Sequence, residues 1–116
     1  MNRIPPSPSD PQGWWVPNHD VYVGDDGHLV VEVELAAMNR EDLELTIKAN
    51  RLIIRGERPD ERRRKQSEYL VHEINHGPFQ SVVEIPPGYD LARARAAYKN
   101  GLLRIEVPLK TDGARS

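Results

Sequence analysis

From Val21 onward apolar and polar residues alternate with a period of two, in runs short enough to be strands. Leu29, Val31, Val33 and Leu35 face one way, and Val30, Glu32 and Glu34 face the other. Leu43, Leu45 and Ile47 alternate with Glu44, Thr46 and Lys48, Leu52 and Ile54 with Ile53 and Arg55, and Val83 and Ile85 with Val82 and Glu84. Successive side chains of an extended chain point to opposite faces, so each run offers one apolar side to a core. Turn-forming groups separate the runs: Asp25-Asp26-Gly27, Ala49-Asn50, Gly77-Pro78 and Pro86-Pro87-Gly88. About seven to eight short strands at this spacing predict an all-β, immunoglobulin-like sandwich. Only Leu91 to Ala97 has a helix-like composition, and it would span barely two turns.

Asn100-Gly101 supplies the two positive-φ residues of a tight two-residue hairpin, with Leu103, Ile105 and Val107 on one face of the outgoing strand. Two segments break the pattern. Residues 1–19 carry Pro5, Pro6, Pro8, Pro11 and Pro17, with too few apolar groups to offset ordering, and predict a flexible N-terminal arm. Within it Trp14, Trp15 and Val16 have two readings. One ring folds back and caps an open edge of the sandwich, or the group forms an adhesive patch on a tether. Arg58 to Ser67 is nearly all charge and long for a hairpin, so the strand predicted after it, Tyr69 to Ile74, need not pair within its own sheet. The organisation predicted is an arm over 1–19, one domain over 20–110 and a short tail over 111–116.

The 116 residues suffice for one domain with a core, and the absence of cysteine excludes disulfides and thiolate chemistry. A formal charge of −2 gives no basic face for nucleic acid, and no apolar run reaches the roughly 20 residues of a membrane span. The basic run Arg62-Arg63-Arg64-Lys65 is bracketed by Asp60, Glu61 and Glu68 without interleaved aromatics, as in a solvated loop. His72-Glu73-Ile74-Asn75-His76 matches H-E-x-x-H, a zinc motif that works on a helix, where i and i+4 meet. On an extended strand the two histidines lie roughly 13 Å apart and share no ion. The expectation is therefore no catalytic residue, no metal and no cofactor.

Several motifs then stand in order. Ala96-x-x-x-Asn100-Gly101-x-Leu103 resembles the A-x-x-x-N-G-x-L signature of the α-crystallin domain of small heat-shock proteins. Pro17 to Tyr22 resembles P-x-x-D-[IV]-Y, Arg40 to Leu45 resembles K-E-D-[IL]-x-[VI], and Leu52 to Arg58 resembles L-x-I-x-G-E-R. Glu73, Gly77, Phe79 and Ile85-Pro86 stand where the family has E, G-x-F and L-P. The likeness covers Pro17 to Lys110. Three departures accompany it: Ala36-Ala37 replaces Pro-Gly, Ser81-Val82 stands where an arginine is usual, and Lys110 to Ser116 holds no Ile-x-Ile/Val anchor.

The resemblance implies an ATP-independent holdase in the cytoplasm that binds partly unfolded client proteins. It implies a homodimer in which Tyr69, Leu70, Val71, His72, Glu73 and Ile74 cross to a partner's sheet, with loop 58–67 as tether. Short or missing assembly elements favour a dimer over larger shells, or co-assembly with a longer small heat-shock protein. Client contacts are expected at Trp14, Trp15 and Val16, and in a groove between the Leu43, Leu45, Ile47 strand and the Ala96, Tyr98 strand. The alternative is a co-chaperone-like interaction module with one defined partner, against which the charged loop and exchangeable strand argue.

Overall fold

The structure, a computed structural model, describes residues 14–59 and 68–111. Residues 1–13 of the expected arm, 60–67 of the charged loop and 112–116 of the tail lie outside the described residues. Among the described residues seven strands form: β1 (His19–Val23), β2 (Leu29–Glu34), β3 (Leu43–Lys48), β4 (Arg51–Arg58), β5 (Gly77–Glu84), β6 (Arg95–Lys99) and β7 (Leu102–Val107). They make two antiparallel sheets, β1-β2-β7-β6 and β3-β4-β5. The all-β sandwich expected from the period-two runs is what the chain adopts.

The register explains the core. Leu29, Val31 and Val33 of β2 face Val107, Ile105 and Leu103 of β7, while Leu52, Ile54 and Gly56 of β4 face Val83, Ser81 and Phe79 of β5. The apolar side chains among these, with Leu35, Ile85 and Trp15, form one buried cluster between the sheets, and the Ser81 side chain is buried as well. Every apolar face proposed for β2, β4 and β5 points inward. Val30, on the opposite face of β2, is buried as well but outside that cluster.

Local chemistry sets the corners. Asn100 (φ 55) and Gly101 (φ 80) make the β6–β7 hairpin, flanked by the pair Lys99 and Leu102. Gly101 also lets the chain after β2 approach, because Leu35 N–H donates to its carbonyl at 2.8 Å and a Cβ would meet Ala36 Cα at 3.3 Å. The stretch from Leu91 that could pass for a helix is a single 3-10 turn, Leu91–Arg93, capped by the Asp90 side chain accepting from Ala92 N–H; β6 follows directly. β7 claims those residues, so the local alanine content does not decide their state.

Tyr69 to Ile74, expected as a strand, takes up no strand among the described residues. Leu70 and Val71 are 90% and 70% exposed. The neighbouring β5 edge is not open to this segment where Trp15 occupies it, through a parallel bridge to Phe79.

Candidate functional site

Two edge strands from different sheets create the first surface. β3 ends the three-stranded sheet and β6 ends the four-stranded one, so the sandwich is open between them. The opening is a groove of about 340 Å³ lined by Arg40, Leu43, Leu45, Ala96, Ala97, Tyr98 and Leu103. Leu43 packs partly against the core, whereas Leu45 is 38% exposed and Ile47, beyond the lining, is 48% exposed. Tyr98 packs its ring against the core while its hydroxyl donates to Leu35 O and accepts Met38 N–H at 3.3 Å. The phenol oxygen is thus satisfied by the chain after β2, leaving an apolar face toward the groove. The groove offers hydrocarbon, a fixed ring, the Arg40 side chain and two strand edges.

The tryptophan pair is split. Trp15 is 8% exposed: its N–H donates to Pro78 O at 3.3 Å, its carbonyl accepts Gln80 N–H at 3.2 Å, and its ring lies 5.2 Å from Phe79. The indole N–H reaches Gly77 O at 3.2 Å. Of the two readings of the pair, this is the one in which a ring folds back and caps an open edge, so Trp15, also expected among the client contacts, is docked on the sandwich. Phe79 and the β5 edge supply apolar area and backbone partners that a tether in water would lack. Trp14 and Val16 remain half-buried, with the Arg55 guanidinium 5.3 Å from the Trp14 ring.

Arg58 binds this corner together. Its guanidinium sits 4.4 Å from the Trp15 ring centre and donates to Asn75 O at 2.8 Å and Ala36 O at 3.1 Å. Desolvation draws its pKa below the ordinary arginine value, opposed by Tyr98 and Glu34. Beside it Trp15, Val16, Glu34, Glu73 and Ile74 help to line a second opening of about 490 Å³.

In the H-E-x-x-H stretch the rings of His72 and His76 come to 6.3 Å between centres, and Tyr69 stacks on His72 at 4.4 Å. The extended-strand separation argued from sequence does not apply, because no strand forms here. His72 Nε2 is buried without a hydrogen-bond partner, and His76 Nδ1 lies 3.1 Å from Ile74 O. Sequence reasoning missed a different group: Asp26, His28 and Glu106 converge, joined across 78 positions by the β2–β7 register. The Asp26 carboxyl is held below its usual pKa chiefly by the backbone N–H of His28, against a desolvation that works the other way. No helix among the described residues is long and apolar enough to cross a membrane.

Comparison with known proteins agrees with this geometry. The chain is 30% identical over 98 residues to small heat shock protein C2 of Rickettsia felis, covering 84% of this chain and 63% of that protein. It is 33% identical over 94 residues to heat shock protein 16 of Schizosaccharomyces pombe, covering 79% and 65%. The chain therefore spans less than two thirds of the length of these relatives. The crystal structure of a small heat-shock protein from Xylella fastidiosa superposes with a TM-score of 0.75 at 25% identity, covering 84% of this chain and 88% of that one. HspA from Xanthomonas axonopodis gives a TM-score of 0.74 at 28% identity, covering 83% and 95%. The Hsp20/alpha crystallin family pattern matches residues 21–116, so this chain, with its seven-stranded sandwich and Asn100-Gly101 hairpin, belongs to the Hsp20/alpha crystallin family of small heat-shock proteins.

Proposed function

We propose that this protein is an ATP-independent holdase, a chaperone rather than an enzyme, which covers the apolar surface of partly unfolded clients before other chains do. The observation that carries this reading is the groove between β3 and β6, where Leu43, Leu45, Ala96 and Tyr98 line an apolar cleft flanked by two strand edges. An extended client segment entering it gains backbone pairing at an edge and burial of alternate side chains. Each fully buried Leu or Ile contributes roughly 1.5–3 kcal/mol before ordering costs, so a few contacts give weak, reversible, sequence-tolerant capture. Ile47 extends the apolar path, and Trp14 with Val16 adds a second half-buried apolar patch. Trp15 is scaffold in this reading.

The working unit is a homodimer formed by residues 69–74. Leu70, Val71 and Ile74 expose hydrocarbon on a segment without a strand partner of its own among the described residues. Three of the four sheet edges already have a role: Trp15 covers part of β5, and β3 and β6 flank the groove. β1, with Val21, Tyr22 and Val23 exposed, is the acceptor for a partner's segment. The groove also suits the apolar tail of a longer small heat-shock protein in a mixed assembly. A cysteine-free chain with a charge of −2 is compatible with work in the cytoplasm.

Light scattering from a heat-labile client, without nucleotide, tests the function, with solution mass measured on the same material. The expected result is suppressed scattering from a particle near twice the 13.2 kDa chain mass. Leu45→Asp should weaken suppression while the fold persists, because Leu45 is an exposed edge residue. Full scattering with wild-type protein, or full suppression by L45D, refutes the groove as the capture site.

A further inference from the structure

The outer face of the four-stranded sheet brings together three side chains that the holdase reading does not use. His28 immediately precedes β2, Asp26 lies in the turn before it, and Glu106 lies on β7 opposite Val30. The pleat therefore puts His28 and Glu106 diagonally on one face. His28 Nδ1 stands 3.1 Å from Glu106 Oε2 and 3.4 Å from Asp26 Oδ2, and one ligand atom from each residue lies within 4.8 Å of the others. Tetrahedral ligands about 2.0–2.1 Å from zinc are about 3.3–3.4 Å apart. The His28–Asp26 separation has the size of an edge of that tetrahedron, and the His28–Glu106 hydrogen bond, at 3.1 Å, needs only a small opening to reach it.

The other oxygen of each carboxylate is engaged elsewhere. Asp26 Oδ1 accepts the His28 backbone N–H at 3.0 Å, and Glu106 Oε1 lies 3.8 Å from Arg104 Nη1, whose guanidinium also meets Glu32 at 3.5 Å. These contacts hold Asp26 Oδ2 and Glu106 Oε2 toward the imidazole, the kind of support that orients metal ligands. A cavity of about 480 Å³ opens beside them, lined in part by His28, Glu106, Arg95 and Pro108, with room for a water as fourth ligand.

We propose that Asp26, His28 and Glu106 form a site for one divalent transition-metal ion of the zinc type, with water completing the coordination. The imidazole selects such ions over calcium and magnesium, which prefer all-oxygen sites. Bound there, the ion fastens the 24–28 turn to β7 and stabilises the folded state alone.

Calorimetric titration of the full chain, freed of metal by chelation, tests this with zinc, calcium and magnesium chlorides in separate arms. Cobalt absorption provides a second readout of coordination. The expected result is one zinc per chain, a higher Tm with zinc, a cobalt spectrum of low coordination number, and no comparable calcium or magnesium binding. His28→Gln and Glu106→Gln, with unchanged circular dichroism, should each weaken zinc binding about 10-fold or more. His19→Gln and His76→Gln should bind as the unaltered protein does. No stoichiometric zinc binding, undiminished binding by H28Q, equal binding of calcium, or loss of binding in H76Q would each overturn the assignment.

Discussion

Trp15→Ala separates scaffold from contact surface, and its cost follows from the packing. The ring is 8% exposed, lies against Phe79, carries Arg58 on its face and donates its indole N–H to Gly77 O. A tryptophan side chain buries about 150–250 Å². At about 25 cal/mol per Å² that is roughly 4–6 kcal/mol of transfer free energy, an upper value because unfolded chains already bury some of it. Truncating a buried tryptophan correspondingly costs about 3–5 kcal/mol. Against the roughly 5–15 kcal/mol that holds a typical domain folded, this is a large fraction. Trp14→Ala removes a half-buried ring with Arg55 nearby and should cost about 1 kcal/mol or less. Urea unfolding followed by far-UV circular dichroism gives both values. In the W14A protein the remaining indole should emit at short wavelength when folded and shift red through the transition. Equal midpoints for W15A and the unaltered chain would refute the docked ring and restore the reading in which both tryptophans are on display. A W14A loss as large as that of W15A would refute the asymmetry between them.

Three further substitutions probe the frame. Ala37→Gly should raise stability by about 0.5–1 kcal/mol, read as a higher urea midpoint, because Ala37 holds φ 61 where glycine carries no Cβ penalty. Ser81→Ala should stabilise by about 1 kcal/mol in the same assay, since the buried hydroxyl has no hydrogen-bond partner. Gly56→Ala should cost about 1–3 kcal/mol, because a Cβ there would collide with the Asp42 backbone carbonyl and stand 2.6 Å from Phe79 Cζ; an unchanged thermal midpoint would contradict that packing.

Much of the fold was legible because its signals are local. Alternation in β2, β4 and β5 needs only the pleat, and Asn100-Gly101 needs only positive φ. The replacement of Pro-Gly by Ala36-Ala37 was visible too, and Ala37 keeps the left-handed conformation expected of the missing glycine. The groove was reached through family likeness, since no local pattern says that β3 and β6 end different sheets on the same side. Trp15 was legible only as a choice, because its partner Phe79 lies 64 positions away. For Tyr69 to Ile74, strand-forming composition was present but no sheet edge within the protomer took it up. Asp26, His28 and Glu106 stayed hidden for a similar reason: their spacing becomes a cluster only after Val30 is paired with Glu106.

Arg58 has a consequence for how the molecule responds to heat. One guanidinium grips the carbonyls of Ala36 and Asn75 and caps the Trp15 ring, so three stretches remote in sequence share a single fastener. Withdrawing any one of them returns part of that cation to water and weakens its hold on the other two. Linkage of this kind runs both ways. A rise in temperature that loosens the segment carrying Asn75 therefore also loosens the tryptophan latch, and re-seating the latch draws that segment home.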